Sequence, residues 1–173
     1  MRYIYILPMG MFSARFLEAV RSEVERRLGL PAKLMETVDT PEYAFEPDRK
    51  QYNSLMILKK LLVEAPEDAL RIIGLCDVDL CIPIQTYIFG QAQSNGMVAV
   101  VSLKRLNEEF YGKQYNDILI FRRTLKELMH ELGHLFGLVH CTSHCCVMSQ
   151  SIEVDHVDGK EIEFCERCFQ LLS

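Results

Sequence analysis

Residues His130 to Met148 read H-E-L-G-H-L-F-G-L-V-H-C-T-S-H-C-C-V-M and carry the strongest chemical signal in the chain. Apolar residues recur at three- and four-residue spacing from just before this stretch into its first residues, which indicates one buried face of an α-helix: Leu125, Leu128, Met129, Leu132, Leu135 and Phe136. On such a helix His130 and His134 lie one turn apart on the same side, so both imidazoles can reach one metal ion. Glu131 directly follows the first histidine, and its carboxylate can reach a water on the metal rather than the metal itself.

A third imidazole completes this pattern. Gly137 comes three residues after His134, where a left-handed residue can end the helix and turn the chain sharply. The turn allows His140 to return to the same ion. Three neutral imidazoles leave a fourth position open, which is typical of a catalytic rather than a structural zinc. A bare H-E-x-x-H also arises by chance in helices, but the extended H-E-x-x-H-x-x-G-x-x-H is the metzincin signature.

The seven cysteines are many for a reducing compartment, where disulfides are rare. Four of them form two short-spaced pairs separated by 18 residues: Cys141 with Cys146, and Cys165 with Cys168. Four thiolates make a closed tetrahedral zinc site that holds structure and leaves no room for water. Cys145 competes with Cys146 for one ligand position, and spacing alone leaves both open. Cys76 and Cys81 flank an apolar run and are interpreted as buried thiols.

Met148 lies eight residues after the third histidine. A methionine in such a position can be ordinary apolar filler. Its place after the extended histidine motif instead predicts a Met-turn, in which the thioether packs beneath the three imidazoles without binding the metal.

Composition limits the function classes. The chain has 173 residues, 49% hydrophobic and 25% charged, which suits one domain over residues 1–173. The net charge of −5 and the absence of a basic cluster argue against a nucleic-acid partner. No apolar run approaches the roughly 18 residues of a membrane span. We therefore expect a cytoplasmic monomer without membrane attachment.

Hydrophobic periodicity predicts an α/β fold. Strands are expected at residues 3–7, 32–38, 78–84, 87–92 and 97–102. Long helices are expected from Ser13 to Leu28, at residues 49–63, and through the histidine motif from a start between Asp117 and Thr124. A short helical turn is expected from Pro66, and a short C-terminal helix at residues 164–172. Asn95-Gly96 between two apolar runs indicates a hairpin. These elements predict a mixed, mostly parallel five-stranded sheet with residues 87–92 as the antiparallel edge strand.

The predicted domain has two parts. Residues 1–137 would form an upper subdomain with the sheet and the active-site helix. Residues 138–173 lack strand signals and would form a small, irregular lower subdomain held together by the cysteine-bound zinc, because such a segment buries little core. Thr124 with Glu127 also fits a capping box for the active-site helix.

The chain resembles the archaemetzincins, a family of metzincin-clan zinc metallopeptidases. The resemblance rests on the histidine motif joined directly to C-x4-C-x-M and followed by C-x-x-C, and more weakly on F-G-Q-A upstream. It implies a metzincin-like fold, a peptide or protein substrate and two zinc ions. The residues it assigns are His130, His134 and His140 on the catalytic zinc, Glu131 as general base, Cys141, Cys146, Cys165 and Cys168 on the structural zinc, and Met148 in the Met-turn. The resemblance thereby favours Cys146 over Cys145.

An extended substrate peptide would lie along the edge strand at Phe89, Gly90, Gln91 and Ala92, adding itself to the sheet by main-chain hydrogen bonds. Two rival functions remain. A zinc-held module that binds peptides without cutting them, or cuts them only very weakly, has no need of Glu131. The net negative charge of the chain disfavours a zinc-ribbon-like nucleic-acid binder.

Overall fold

A five-stranded sheet lies at the centre of the protein, seen here as a computed structural model that describes residues 1–172. In chain order the strands are β1 (Tyr3–Met9), β2 (Ala32–Leu34), β3 (Phe45–Glu46), β4 (Gln51–Asn53), β5 (Ala69–Cys76), β6 (Leu80–Ile82), β7 (Gln85–Ile88), β8 (Gly90–Ala92) and β9 (Val98–Ser102). The helices are α1 (Ala14–Leu28), α2 (Ser54–Val63), α3 (Asp117–Leu135), α4 (Val154–Gly159) and α5 (Glu166–Leu171), with short 3₁₀ turns at Glu42–Ala44 and Glu108–Tyr111.

The central sheet has the strand order β2-β1-β5-β9-β8. Its first four strands are parallel, and β8 pairs antiparallel with β9 at the edge. Side chains of β1, β5 and β9 alternate between two buried cores, one shared with α1 and α3 and the other with α2. The predicted mixed sheet with one antiparallel edge strand is confirmed.

The central strand β5 was not predicted. A helical turn was expected from Pro66, but the Pro66 carbonyl accepts from the Ala69 amide in a turn that leads directly into β5. The strand expected at 78–84 shrinks to β6 and lies outside the central sheet. The helix expected from residue 49 begins only at Ser54, because Asn53 caps its first turn and β4 precedes it.

A second, four-stranded sheet of order β3-β4-β6-β7 lies beside the first. It was also not predicted, and it divides the expected edge strand, since residues 87–88 belong to β7 and 90–92 to β8. The Arg49 guanidinium donates to the carbonyls of Ile82, Gln85 and Thr86, which stabilises the β6–β7 hairpin. This hairpin continues directly into the edge of the central sheet.

Helix α3 carries the histidine motif. It begins at Asp117, within the expected interval, and the Asn116 side chain caps it by accepting from the Leu119 amide at 3.0 Å. The predicted capping box at Thr124 is wrong, because Thr124 is fully buried inside the helix and donates to the Ile120 carbonyl. Gly137, with φ of 90°, reverses the chain after the helix, and its amide donates to the His134 carbonyl.

Residues 138–172 contain two short helices, α4 and α5, and no strand. Helix α5 lies inside the segment expected to be helical, whereas α4 was not predicted. Arg123 of α3, only 3% exposed, pairs with Asp158 of α4 at 2.6 Å and so joins this segment to the active-site helix. The division of the chain at residue 137 stays a prediction. Within residues 1–172, no helix has the length and apolar character needed to cross a membrane.

Candidate metal centres

Three histidine side chains converge at the end of α3. The Nε2 atoms of His130 and His134 lie 3.1 Å apart, as expected for residues one helical turn apart. His140 reaches the same point after the turn at Gly137, and one ring nitrogen from each histidine lies within 4.8 Å of the others. Residues separated by ten positions in sequence thus form one potential ligand set.

Backbone carbonyls orient two of these rings. The Nδ1 atoms of His130 and His134 lie 2.8 Å from the carbonyls of Val147 and Leu138. Because a carbonyl only accepts, each Nδ1 carries the hydrogen and each Nε2 is left with a free lone pair. Burial lowers the pKa of all three histidines, most strongly that of His130. Neutral imidazole is the form that binds metal, so this donor set fits zinc.

Glu131 lies beside the histidines with its carboxyl group packed against the edge strand. It is 5% exposed, and burial, followed by the charge of Glu127, raises its pKa well above the usual range. A Cβ atom at Gly90 would lie only 2.8 Å from Glu131 Oε1 and 2.9 Å from the Val100 carbonyl oxygen. Glycine at position 90 therefore allows the edge strand to approach the carboxylate this closely.

Met148 is fully buried against α3. A Cβ atom at Gly133, the residue before His134, would collide with the Met148 sulfur and lie 3.1 Å from its methyl carbon. The thioether therefore packs on the helix backbone between the turns that carry the first two histidines. This position agrees with the predicted Met-turn, whose role stays a prediction.

Four of the seven free thiols form a second cluster. Their sulfur atoms all lie within 4.8 Å of one another in the group Cys141, Cys146, Cys165 and Cys168. The Cys165 amide donates to Cys146 Sγ at 3.3 Å, and the Cys168 amide is the main cause that lowers the pKa of Cys165 to about 7. The donor to Cys165 favours its thiolate, the form that binds zinc, whereas burial raises the pKa of Cys146.

The other three thiols lie outside that cluster. Cys145 is exposed, whereas Cys146 is 1% exposed and belongs to the group of four. Of the two cysteines that spacing left open, Cys146 lies in the group of four, and its role as a zinc ligand stays a prediction. Cys76 and Cys81 are buried in the core, as predicted.

A cleft of about 490 Å³ opens over the histidines. Strands β7 and β8 line one side, α3 forms the floor, and the residues after Met148 form the other side. The Tyr87 hydroxyl donates to the Ile152 carbonyl at 2.7 Å and so links the two walls. Sequence reasoning missed ten residues of this lining: Ile82, Ile84, Gln85, Thr86, Tyr87, Ile88, Glu127, Gln150, Ser151 and Ile152.

Comparison with known proteins identifies the family of the chain. The family model described as peptidase family M54 matches residues 11–173. An archaemetzincin of Methanocaldococcus jannaschii is 36% identical over 169 residues, covering 98% of this chain and 92% of that protein. An archaemetzincin of Thermococcus kodakarensis is 37% identical, covering 97% of this chain and 94% of that protein. The chain belongs to peptidase family M54, the archaemetzincins.

Solved structures support the same family. A zinc-dependent peptidase from Methanocorpusculum labreanum superposes with a TM-score of 0.90 at 30% identity, covering 98% of this chain and all of that one. The archaemetzincin of Methanopyrus kandleri gives a TM-score of 0.85 at 33% identity, covering 99% and 93%. The resemblance found in the sequence is confirmed, and with it the assignment of this archaemetzincin to the metallopeptidases.

Proposed function

We propose that this archaemetzincin, acting as a monomer, hydrolyses peptide bonds with one zinc on His130, His134 and His140 and with Glu131 as the general base. One observation carries the proposal: three imidazoles, two of them oriented by backbone carbonyls, converge beside a buried carboxylate at the floor of an open cleft. A structural metal site would need no cleft and no adjacent carboxylate.

Each group in the cleft has a defined task. Zinc, when bound, supplies a cation that polarises the scissile carbonyl and lowers the pKa of water to about 7. Glu131 accepts the proton of the attacking water and passes it to the leaving amine, a contribution of about 10²–10⁴-fold. Because Gly90 lies close to Glu131, a peptide paired with the edge strand would have its main chain beside this carboxylate.

The edge strand can hold the substrate through its backbone. The Ser102 amide donates to the Phe89 carbonyl, and the Gln93 amide donates to the Val98 carbonyl. Because bonding alternates along an antiparallel pair, the backbone groups of Gly90 and Ala92 point away from β9 toward the open edge. An extended peptide can pair with them as an added strand. Phe89 is 3% exposed and Gln91 accepts from Ser54 Oγ at 2.5 Å, so both mainly support the strand.

The four-cysteine cluster would hold a second, structural zinc. That zinc would hold residues 141–168 together as a lower subdomain, because α4 and α5 are short and provide little regular structure. His140 and Cys141 are adjacent, so a single peptide unit would join the catalytic and structural sites.

We expect two zinc ions per chain with unequal lability. The histidine site opens into a cleft, whereas four thiolates close the other site, so mild chelation removes only the first ion. The fold survives that loss because α3 is also held by packing against the sheet. Metal analysis and circular dichroism along a chelator titration measure this. A single zinc per chain, or simultaneous loss of both with unfolding, contradicts it.

A peptide-library assay of the zinc-loaded chain tests the proposed activity. Cleavage products should appear with zinc and disappear after mild chelation, while the circular dichroism spectrum stays unchanged. The rival binding module predicts that the zinc-loaded chain retains peptides from the same library without producing any fragment, and that result would replace the proposal.

A further inference from the structure

One part of the cleft floor is polar and incompletely hydrogen-bonded. Glu127 Oε1 and Ser151 Oγ are both shielded from solvent, and within residues 1–172 neither has a hydrogen-bond partner. Both residues line the cleft, and the amide side chain of Gln150 lies on the same wall. We call Glu127, Gln150 and Ser151 the polar subsite.

The polar subsite adjoins the reacting position. Glu127 precedes Glu131 by four residues on α3, so it extends the same helix face by one turn, away from His134. Ser151 follows Met148 by three residues and approaches from the opposite chain segment. A substrate bound along the edge strand would therefore place one of the two side chains that flank the cleaved bond over these groups.

The charge of Glu127 is already compensated. Lys160 Nζ lies 2.9 Å from Glu127 Oε1, although without hydrogen-bond geometry, and only 1% of the lysine side chain is exposed. The same Nζ lies 3.3 Å from the Ser149 carbonyl oxygen. A cationic substrate side chain at Glu127 would lie near the buried Lys160 ammonium behind it, and an anionic one would face the Glu127 carboxylate. The polar subsite therefore favours an uncharged guest.

We propose that the polar subsite selects a substrate residue with an uncharged, hydrogen-bond-donating side chain, namely an amide or a hydroxyl. Such a side chain donates to Ser151 Oγ, which has no partner, and to Glu127 Oε1, which lies beside the Lys160 ammonium without a hydrogen bond. An apolar side chain would cover both oxygens and make no hydrogen bond to them. A buried acceptor without a hydrogen bond makes the binding free energy less favourable. Sites that hydrogen-bond a substrate group therefore reject analogues that lack this group. This inference rests on the proposed function and adds to it a substrate class.

The test uses capped hexapeptides that differ only at the residue on either side of the cleaved bond, carrying Gln, Asn, Leu, Met, Lys or Glu. With the zinc-loaded chain, Gln or Asn at one of these positions should raise kcat/KM over Leu or Met by about tenfold. Equal rates, or a preference for Leu and Met at both positions, would overturn the inference.

Binding of the same peptides to the Glu131→Gln variant measures the side-chain preference without hydrolysis. Selective binding without cleavage therefore supports the polar subsite and counts only against the proposed function, whereas unselective binding overturns the subsite.

Two variants test whether Ser151 and Glu127 cause the preference for Gln and Asn over Leu and Met. Ser151→Ala removes one unpaired oxygen and should reduce the selectivity for Gln over Leu, while the matched Ser22→Ala on the exposed surface of α1 should not. The double variant Glu127→Leu with Lys160→Met replaces a buried ion pair by apolar side chains, a change that proteins often tolerate. It should reverse the preference toward Leu and Met. Wild-type selectivity in both Ser151→Ala and the double variant would refute the inference.

Discussion

Glu131→Gln is expected to abolish most peptide hydrolysis while the chain keeps its zinc and its fold. The amide is nearly isosteric with the buried carboxyl group that packs against Gly90, so the edge strand is not disturbed. It cannot accept the proton of the attacking water, and we expect kcat to fall by about 10²–10⁴-fold. Zinc content and thermal unfolding should match those of the wild type, because Glu131 is not among the three converging ligands.

Glu36→Gln is a matched control, because Glu36 is an exposed glutamate outside the cleft. It should cleave at the wild-type rate. If Glu131→Gln also retained that rate, Glu131 would have no role in proton transfer, and the mechanism proposed here would need another base.

The second large effect is expected from Cys165→Ser. Cys165 belongs to the four-thiol cluster, and the Cys168 amide lowers its pKa to about 7, which favours the thiolate that binds zinc. Its loss should release the structural zinc. The histidine site should weaken as well, because Cys141 of the cluster is joined to His140 by one peptide bond and its amide donates to the Met148 carbonyl.

We expect catalytic zinc affinity to fall by about 10–100-fold in Cys165→Ser, the usual effect of disturbing groups that support metal ligands. Cys145→Ser is the matched control, since Cys145 is exposed and lies outside the cluster. Competition with a chelator of known zinc affinity measures both variants. If Cys165→Ser lost only the structural zinc and bound the other with unchanged affinity, the two sites would be independent.

The convergence of the three histidines could be predicted because it follows from short spacings, and the two cysteine pairs were recognised in the same way. Residues four apart on a helix share a face, and Gly137 permits the turn that returns His140. Strand β5 could not be predicted in the same way. It is buried on both faces at the centre of a parallel sheet, so its sequence shows no alternation, and Pro66 before it resembles a helix start.

Two other misses have similar physical causes. The strands of the second sheet contain two to four residues each, too few for a period to be recognised. Glu127 was interpreted as a capping residue because it follows Thr124 by three positions. Its position on the apolar face of α3 could have indicated a buried carboxylate in the cleft. Its partner Lys160, however, lies 33 residues later in the sequence, and only folding brings the two together.

Anomalous X-ray scattering at the zinc absorption edge, from crystals of the zinc-loaded chain, tests the central claim most directly. We predict one zinc about 2.1 Å from nitrogens of His130, His134 and His140, with a fourth position open to the cleft. A second zinc should lie about 2.3 Å from four cysteine sulfurs and, because one peptide unit joins the sites, no more than about 14 Å from the first. No zinc at the histidines, or a fourth protein ligand closing that site, would contradict the account.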